Sequence, residues 1–222
     1  MFSRPYPRKG RRNRRRKPLR SQREALQQDL EFEEQEIWPI KDILTKVQQS
    51  SQTNLAPLKS LEGRYFRLWS TDHVKYCTAE VAPTRYIEFY DAEFQPFDNY
   101  PEGQVNGHIY AVPEIMCDID PFVHPQNVGL ETFRIDGNHS LHTFHEQFLD
   151  NHHLILQIPK ELVFYRQKKD PPSKAPDVFT YYGICEAYEE SRISQSIGER
   201  TRQSDVVQHL LRDHGLRASD FL

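Results

Sequence analysis

Between Gly63 and Cys185 the apolar positions come in short runs rich in β-branched and aromatic residues, divided by turn formers, which predicts a series of strands. The first three are Arg64–Trp69, Val74–Val81 and Arg85–Tyr90, separated by Ser70-Thr71-Asp72 and Pro83 and ordered as a meander. Further strands are predicted at Gly107–Val112, residues 129–135, His153–Ile158, Leu162–Arg166 and Val178–Ile184. The remainder of Glu93–Pro125, interrupted by five prolines and two glycines, reads as a long excursion. After Ser140, the spacing of Leu141, Phe144, Phe148 and Leu149 predicts one short helix.

Helical signals dominate the two ends. Ser21-x-x-Glu24 is a capping-box pattern opening a helix with a thin apolar stripe (Leu26, Leu30, Ile37), predicted to stop at Trp38 ahead of Pro39. Ile40, Ile43, Leu44 and Val47 then mark a second, core-facing helix, and Ser204–Gly215 carries cap, stripe and stop signals for a last one. The segments are therefore a basic arm over 1–20, disordered when free, a helical segment over 21–49, a β-rich domain over 58–185 and C-terminal helices over 186–222. Strands in series with few helices between them do not suit a βαβ fold. The expected class is mainly β with flanking helices: a small barrel, OB-like, with a long insertion, or alternatively a two-sheet sandwich.

Charge changes the picture. Residues 1–23 hold eleven Arg and Lys and no acid, whereas the remaining chain carries 18 bases against 32 acids. Such segregation is self-repelling within each block and has two rationales: a polyanionic partner for the arm, or docking of the arm on the acidic body. Arginine forks bind phosphate and displace condensed counter-ions, so Arg8, Lys9, Arg11, Arg12, Arg14, Arg15, Arg16, Lys17 and Arg20 are candidate contacts to DNA or RNA. The same run fits a nuclear import signal. Over its seven residues, Arg11-Arg12-Asn13-Arg14-Arg15-Arg16-Lys17 resembles the arginine-rich RNA-binding arm of the lentiviral Rev proteins. That resemblance implies a helical arm with Asn13 reading a base, and it does not extend to family membership.

On the predicted strands, aromatic rings alternate with bases. Tyr65, Arg67 and Trp69 share one face, and with Tyr86 they form a candidate stacking platform for single-stranded nucleic acid; the competing role for such rings is core packing. Seven of the ten histidines, five of them within residues 139–153, raise the question of a metal site. His142 and Glu146 would share a helical face with His139, but the spacing is not H-E-x-x-H and a solvated rim is the simpler reading. Asp118-x-Asp120, with Glu114 and Asp136, is a weak nuclease-type pattern. Cys77, Cys117 and Cys185 lack the spacing of a zinc knuckle or disulfide framework. Signatures of nucleotide-binding loops, nucleophile elbows and EF-hands are missing, as is any apolar run of bilayer length or a signal-type leader.

These observations point to a nuclear, chromatin- or RNA-associated binding protein that is not an enzyme and needs no cofactor. Its arm would contact DNA or RNA, and its body and terminal helices would contact protein partners of a nuclear complex, away from membranes. A capsid-like protein with a genome-neutralising arm and a metal-dependent hydrolase are the alternatives.

Overall fold

The computed structural model describes residues 11–50, 56–77, 85–90, 103–111, 115–138, 140–165 and 170–189, with backbone alone for 11–20. Eight strands form one closed antiparallel barrel: β1 (Tyr65–Trp69), β2 (Arg85–Tyr90), β3 (Gln104–Ala111), β4 (Ile115–Val123), β5 (Phe133–Gly137), β6 (His142–Phe148), β7 (His153–Pro159) and β8 (Val178–Cys185). Each pairs with its neighbour in sequence, and β8 closes on β1 through Phe66↔Cys185 to Trp69↔Tyr182. The expected small β-rich barrel with flanking helices is therefore present. Its finer form is an eight-stranded up-and-down meander, where an OB barrel has five strands. Closure leaves no second sheet, which sets aside the sandwich.

Period-two alternation builds the interior. Phe66 and Leu68 of β1, Ile87 and Phe89 of β2, Ile109 of β3, Phe144 and Phe148 of β6, and Phe179 and Tyr181 of β8 are all almost completely buried. Inside the barrel the rings meet edge-on, as in Phe66 against Phe89 with centroids 6.2 Å apart. Gly107 sits at a register shift between β3 and β4, where a Cβ would overlap the backbone carbonyl of Glu88 on β2. A main-chain atom held in a ladder cannot give way, so Gly107→Ala should lower stability by about 1–3 kcal/mol or more, read as a shifted urea midpoint.

The helices α1 (Arg11–Gln49), α2 (Thr71–Tyr76) and α3 (Lys160–Val163), with a helical turn at 186–189, complete the described fold. The last half of α1 lies along the barrel wall, with Ile37 and Ile40 packed against Trp69, Leu149, Ile155 and Ile184. From Ser21 to Asp29 every side chain except the half-buried Leu26 is exposed.

Several expected elements are different. The arm, expected to lack structure throughout 1–20, is helical from Arg11, and α1 passes through Pro18 and also through Pro39, ahead of which a stop was expected. Each proline removes one helix hydrogen bond, yet Ile37 and Ile40 anchor both sides of Pro39 to one apolar surface, and that burial outweighs the local loss. The predicted strand at Val74–Val81 is replaced by α2, whose Ser70 hydroxyl caps the His73 N–H at 3.2 Å. The predicted helix after Ser140 is β6, because alternate residues Phe144, Glu146 and Phe148 all face inward. Of the strand predicted at Leu162–Arg166, residues 162–165 are not extended: α3 ends there and a turn follows, with Leu162 and Val163 buried, and Arg166 lies outside the described residues. The excursion over Glu93–Pro125 contributes two strands, β3 and β4, around its undescribed stretches. The helix predicted at Ser204–Gly215 lies outside the described residues, and of the C-terminal helices only residues 186–189 are seen as helical.

Candidate nucleic-acid interface

Of the predicted arm residues, Arg8 and Lys9 lie outside the described residues. Arg11, Arg12, Arg14, Arg15, Arg16, Lys17 and Arg20 are all within α1, so the helical conformation implied by the likeness to the Rev arm is present in the backbone from Arg11 onward.

The mount for this helix is a polar cluster at one end of the barrel. Glu33 of α1 pairs with Arg85 at the start of β2, both side chains buried, and also accepts the Ser70 N–H at 2.7 Å. Burial pushes the Glu33 carboxyl above its ordinary range, an effect partly offset by the Arg85 charge and the Ser70 N–H. His73 of α2 shares a 2.9 Å hydrogen bond with Tyr181 inside the barrel. Burial first, and the nearby Arg85 charge second, lower its pKa to about 3, so the imidazole is neutral. The middle of α1, the start of β2 and the short helix α2 are thus locked together by charge and hydrogen bonds.

The structure brings Tyr65, Arg67 and Tyr86 together on the outer face of β1 and β2, with Arg67 directly opposite Tyr86. Tyr65 stacks on Tyr86 with centroids 4.8 Å apart and planes at 28°, and Tyr86 in turn lies 5.1 Å from Tyr110 of β3. Tyr110 was not among the predicted residues, although its alternation with Ile109 and Ala111 was legible. This ladder differs from an open platform: both faces of Tyr86 are taken by its neighbours, so a base can stack only on the outer rings. Arg67 is ion-paired with Glu186 at 3.5 Å and Glu189 at 3.7 Å.

Trp69 does not join the exposed ladder. Alternation puts it on the outer face, but α1 covers it, leaving it 7% exposed with its ring edge-on to Phe32 at 5.6 Å. Its assignment as a nucleic-acid contact is corrected: it is the seat of the helix. The acids Glu88 and Asp118 also stand on this side of the barrel, where Asp118 holds His108 at 2.7 Å and Glu88 accepts the Tyr90 hydroxyl at 3.1 Å. Burial, followed by the charge of Glu88 or Glu186, raises the pKa of Tyr86 and Tyr65, so the ladder presents neutral phenols among carboxylates.

The histidines are dispersed by the strand that replaces the predicted helix. On β6, His142 is half-buried and His145 is exposed; His153 is buried with Asp150 at 2.9 Å; and His139 is outside the described residues. Glu146 faces the barrel interior, fully buried, with neither carboxylate oxygen hydrogen-bonded among the described residues. Asp118 and Asp120 are engaged by His108 and by the Ser140 N–H (2.6 Å). Among the described residues no three His, Cys, Asp or Glu side chains gather as metal ligands. Cys77, Cys117 and Cys185 are buried, and burial and the neighbouring Asp118 and Asp120 push Cys117 up to about 12. No helix among the described residues is long and apolar enough to cross a membrane.

Fold and surface together define a closed meander barrel with a basic helical extension clamped to its wall. Compared with known proteins, the chain matches no family model, no curated protein and no solved structure.

Proposed function

We propose that this chain is a nucleic-acid-associated binding protein, not an enzyme, in which the basic arm contacts phosphates and the barrel is the rigid body that carries it. The observation that supports this most is the placement of eleven bases and no acid in residues 1–23, running into a helix held by the buried Glu33–Arg85 pair. A helix can present its bases to a groove or a strand without the ordering cost of a coil, while the acidic body remains repelled from the same polyanion. Nuclear residence accords with the same basic run. Protein partners of a nuclear complex have a candidate surface in the groove between α1 and α2, where Trp38 is 67% exposed beside Leu30, Thr71 and Lys75.

The test is binding of labelled DNA and RNA oligonucleotides by anisotropy across a salt series. The full chain should bind without strong sequence preference, with log affinity falling linearly with log salt at a slope of roughly −0.9 per duplex phosphate neutralised or −0.7 on single strands. Removing residues 1–23 should flatten that slope and weaken binding at low salt by at least about a hundredfold. Equal affinity and slope for the two forms would remove the basis of the proposal.

A further inference from the structure

At the barrel end opposite the Glu33–Arg85 cluster, a recess of about 520 Å³ opens between the start of β1, the end of β8 and the turn into β7. Lys59, Ser60, Arg64, Tyr65, His152 and Tyr188 form part of its lining. Arg64 is fixed there: one guanidinium nitrogen, Nη2, donates to the backbone carbonyl of Asn151, and the group lies over the Phe66 ring with its carbon 5.0 Å from the centroid. Its other terminal nitrogen, Nη1, is buried and finds no acceptor among the described residues. The His152 ring is held flat against Tyr188, with centroids 4.3 Å apart and planes at 16°, and its Nδ1 is likewise buried without a partner among the described residues.

Arg64 and His152 both line the recess, and each keeps one buried nitrogen without a partner among the described residues; for the guanidinium this is costly, since a buried charged donor without an acceptor loses its hydration for nothing. Lys59 and Arg64 place two cations in the lining. Among the described residues the acid in the recess lining is Glu186, and its carboxylate faces Arg67 at 3.5 Å. Burial lowers the pKa of His152; Arg64, His153 and Lys59 add to that, against Asp150.

We propose that this recess binds a phosphate monoester group. A fixed guanidinium, an ammonium and an imidazole supply donors to three terminal oxygens and charge for a dianion, whereas a carboxylate has only two oxygens and would leave one donor group unserved. The rings of Tyr65 and Tyr188 supply an apolar wall for the esterified part. This site is independent of the arm: it uses other residues, at the other end of the barrel.

The full chain should be titrated at constant ionic strength in chloride while the His152 imidazole is followed by NMR. The probes are inorganic phosphate, 5′-phosphorylated dithymidine, and the same dinucleotide without its 5′ phosphate. A saturable shift with a raised His152 pKa is expected for the 5′-phosphorylated probe, because a nearby anion favours the imidazolium. A response to both phosphate probes assigns the site to the phosphate group whatever its source, and a response to the phosphorylated dinucleotide alone assigns it to an esterified strand end. Arg64→Leu should weaken the response by roughly tenfold or more. Because Arg64 also holds Asn151, Lys59→Ala provides a second variant, expected to weaken the response several-fold with an unchanged urea midpoint. Deleting residues 1–23 should leave the His152 response as it is, so a failure of the arm proposal and a failure of this one are separable. An unsaturable shift, a shift equal for the unphosphorylated dinucleotide, or one indifferent to both substitutions overturns the site.

Discussion

Arg85→Met should be the most damaging single substitution in the barrel, costing about 3–5 kcal/mol, because it leaves the Glu33 carboxylate buried opposite an apolar side chain. Against a typical total of about 5–15 kcal/mol, this loss moves a large share of the molecules out of the native state near physiological temperature. The partner change, Glu33→Met, should cost a similar amount by stranding the guanidinium, whose Nε and Nη1 already lack hydrogen-bond partners among the described residues. The double change to methionine at both positions should recover most of the loss, since an apolar pair avoids both desolvation costs. Denaturant midpoints of the four proteins measure this coupling directly. If the double variant is as unstable as the sum of the singles, the two side chains do not act as a pair. The arm offers a second readout: because Glu33 holds the solvated part of α1 to the barrel, Arg85→Met should also lower α1 helicity measured by hydrogen exchange.

The second large effect should be a gain. Glu146 faces the aromatic interior from the middle of β6, fully buried, and burial holds its pKa well above the ordinary carboxyl range. Replacing it by leucine should raise stability at neutral and alkaline pH by about 1–3 kcal/mol, the cost of an unpaired buried polar group. Its pH signature follows from proton counting. Above pH 4.5 the unfolded chain has released this proton while the folded chain still holds it, so native stability falls as pH rises towards the elevated folded value, by up to about 1.4 kcal/mol per unit. His73 acts in the opposite sense: between its folded value of about 3 and the ordinary 6.5 the unfolded chain binds the extra proton, so stability falls on acidification. The natural chain should therefore lose stability on both sides of an optimum, and Glu146→Leu should lose the alkaline decline while keeping the acid one. A variant whose pH profile is unchanged in shape would place this carboxyl in contact with solvent.

The strands whose alternation is undisturbed were readable as sequence. Arg85–Tyr90 was expected with the limits it has, and β1, β3, β7 and β8 fall within a few residues of their expected positions. Where a polar residue occupies an inward position, period two was concealed: Glu146 between Phe144 and Phe148 left spacing that also fits a helix. In β4 the alternation of Ile115, Cys117 and Ile119 with Met116 and Asp118 was regular, but the surrounding prolines outweighed it. At 71–76 the cap Ser70 and the acid Asp72 signalled a helix start that β-formers Val74 and Tyr76 obscured. Trp69 was assigned to the correct face of β1 and the wrong environment, because no periodicity along a strand reports what will later be laid across it.

The chain's own order of residues determined the charge division and the class of fold: eleven bases without an acid at one end, and alternating apolar strands enough for a barrel. Both are local properties, set by side-chain type and by the two-residue repeat of extended backbone. Tertiary structure alone decided the pairing of Glu33 with Arg85, the covering of Trp69, the sealing of Tyr86 between Tyr65 and Tyr110, and the meeting of Arg64 with His152 in one recess. Those partners are 21 to 88 residues apart in sequence at the least and greatest. Which distant side chains share a low-dielectric space depends on closure of the barrel, a property of the whole sheet that no single segment contains.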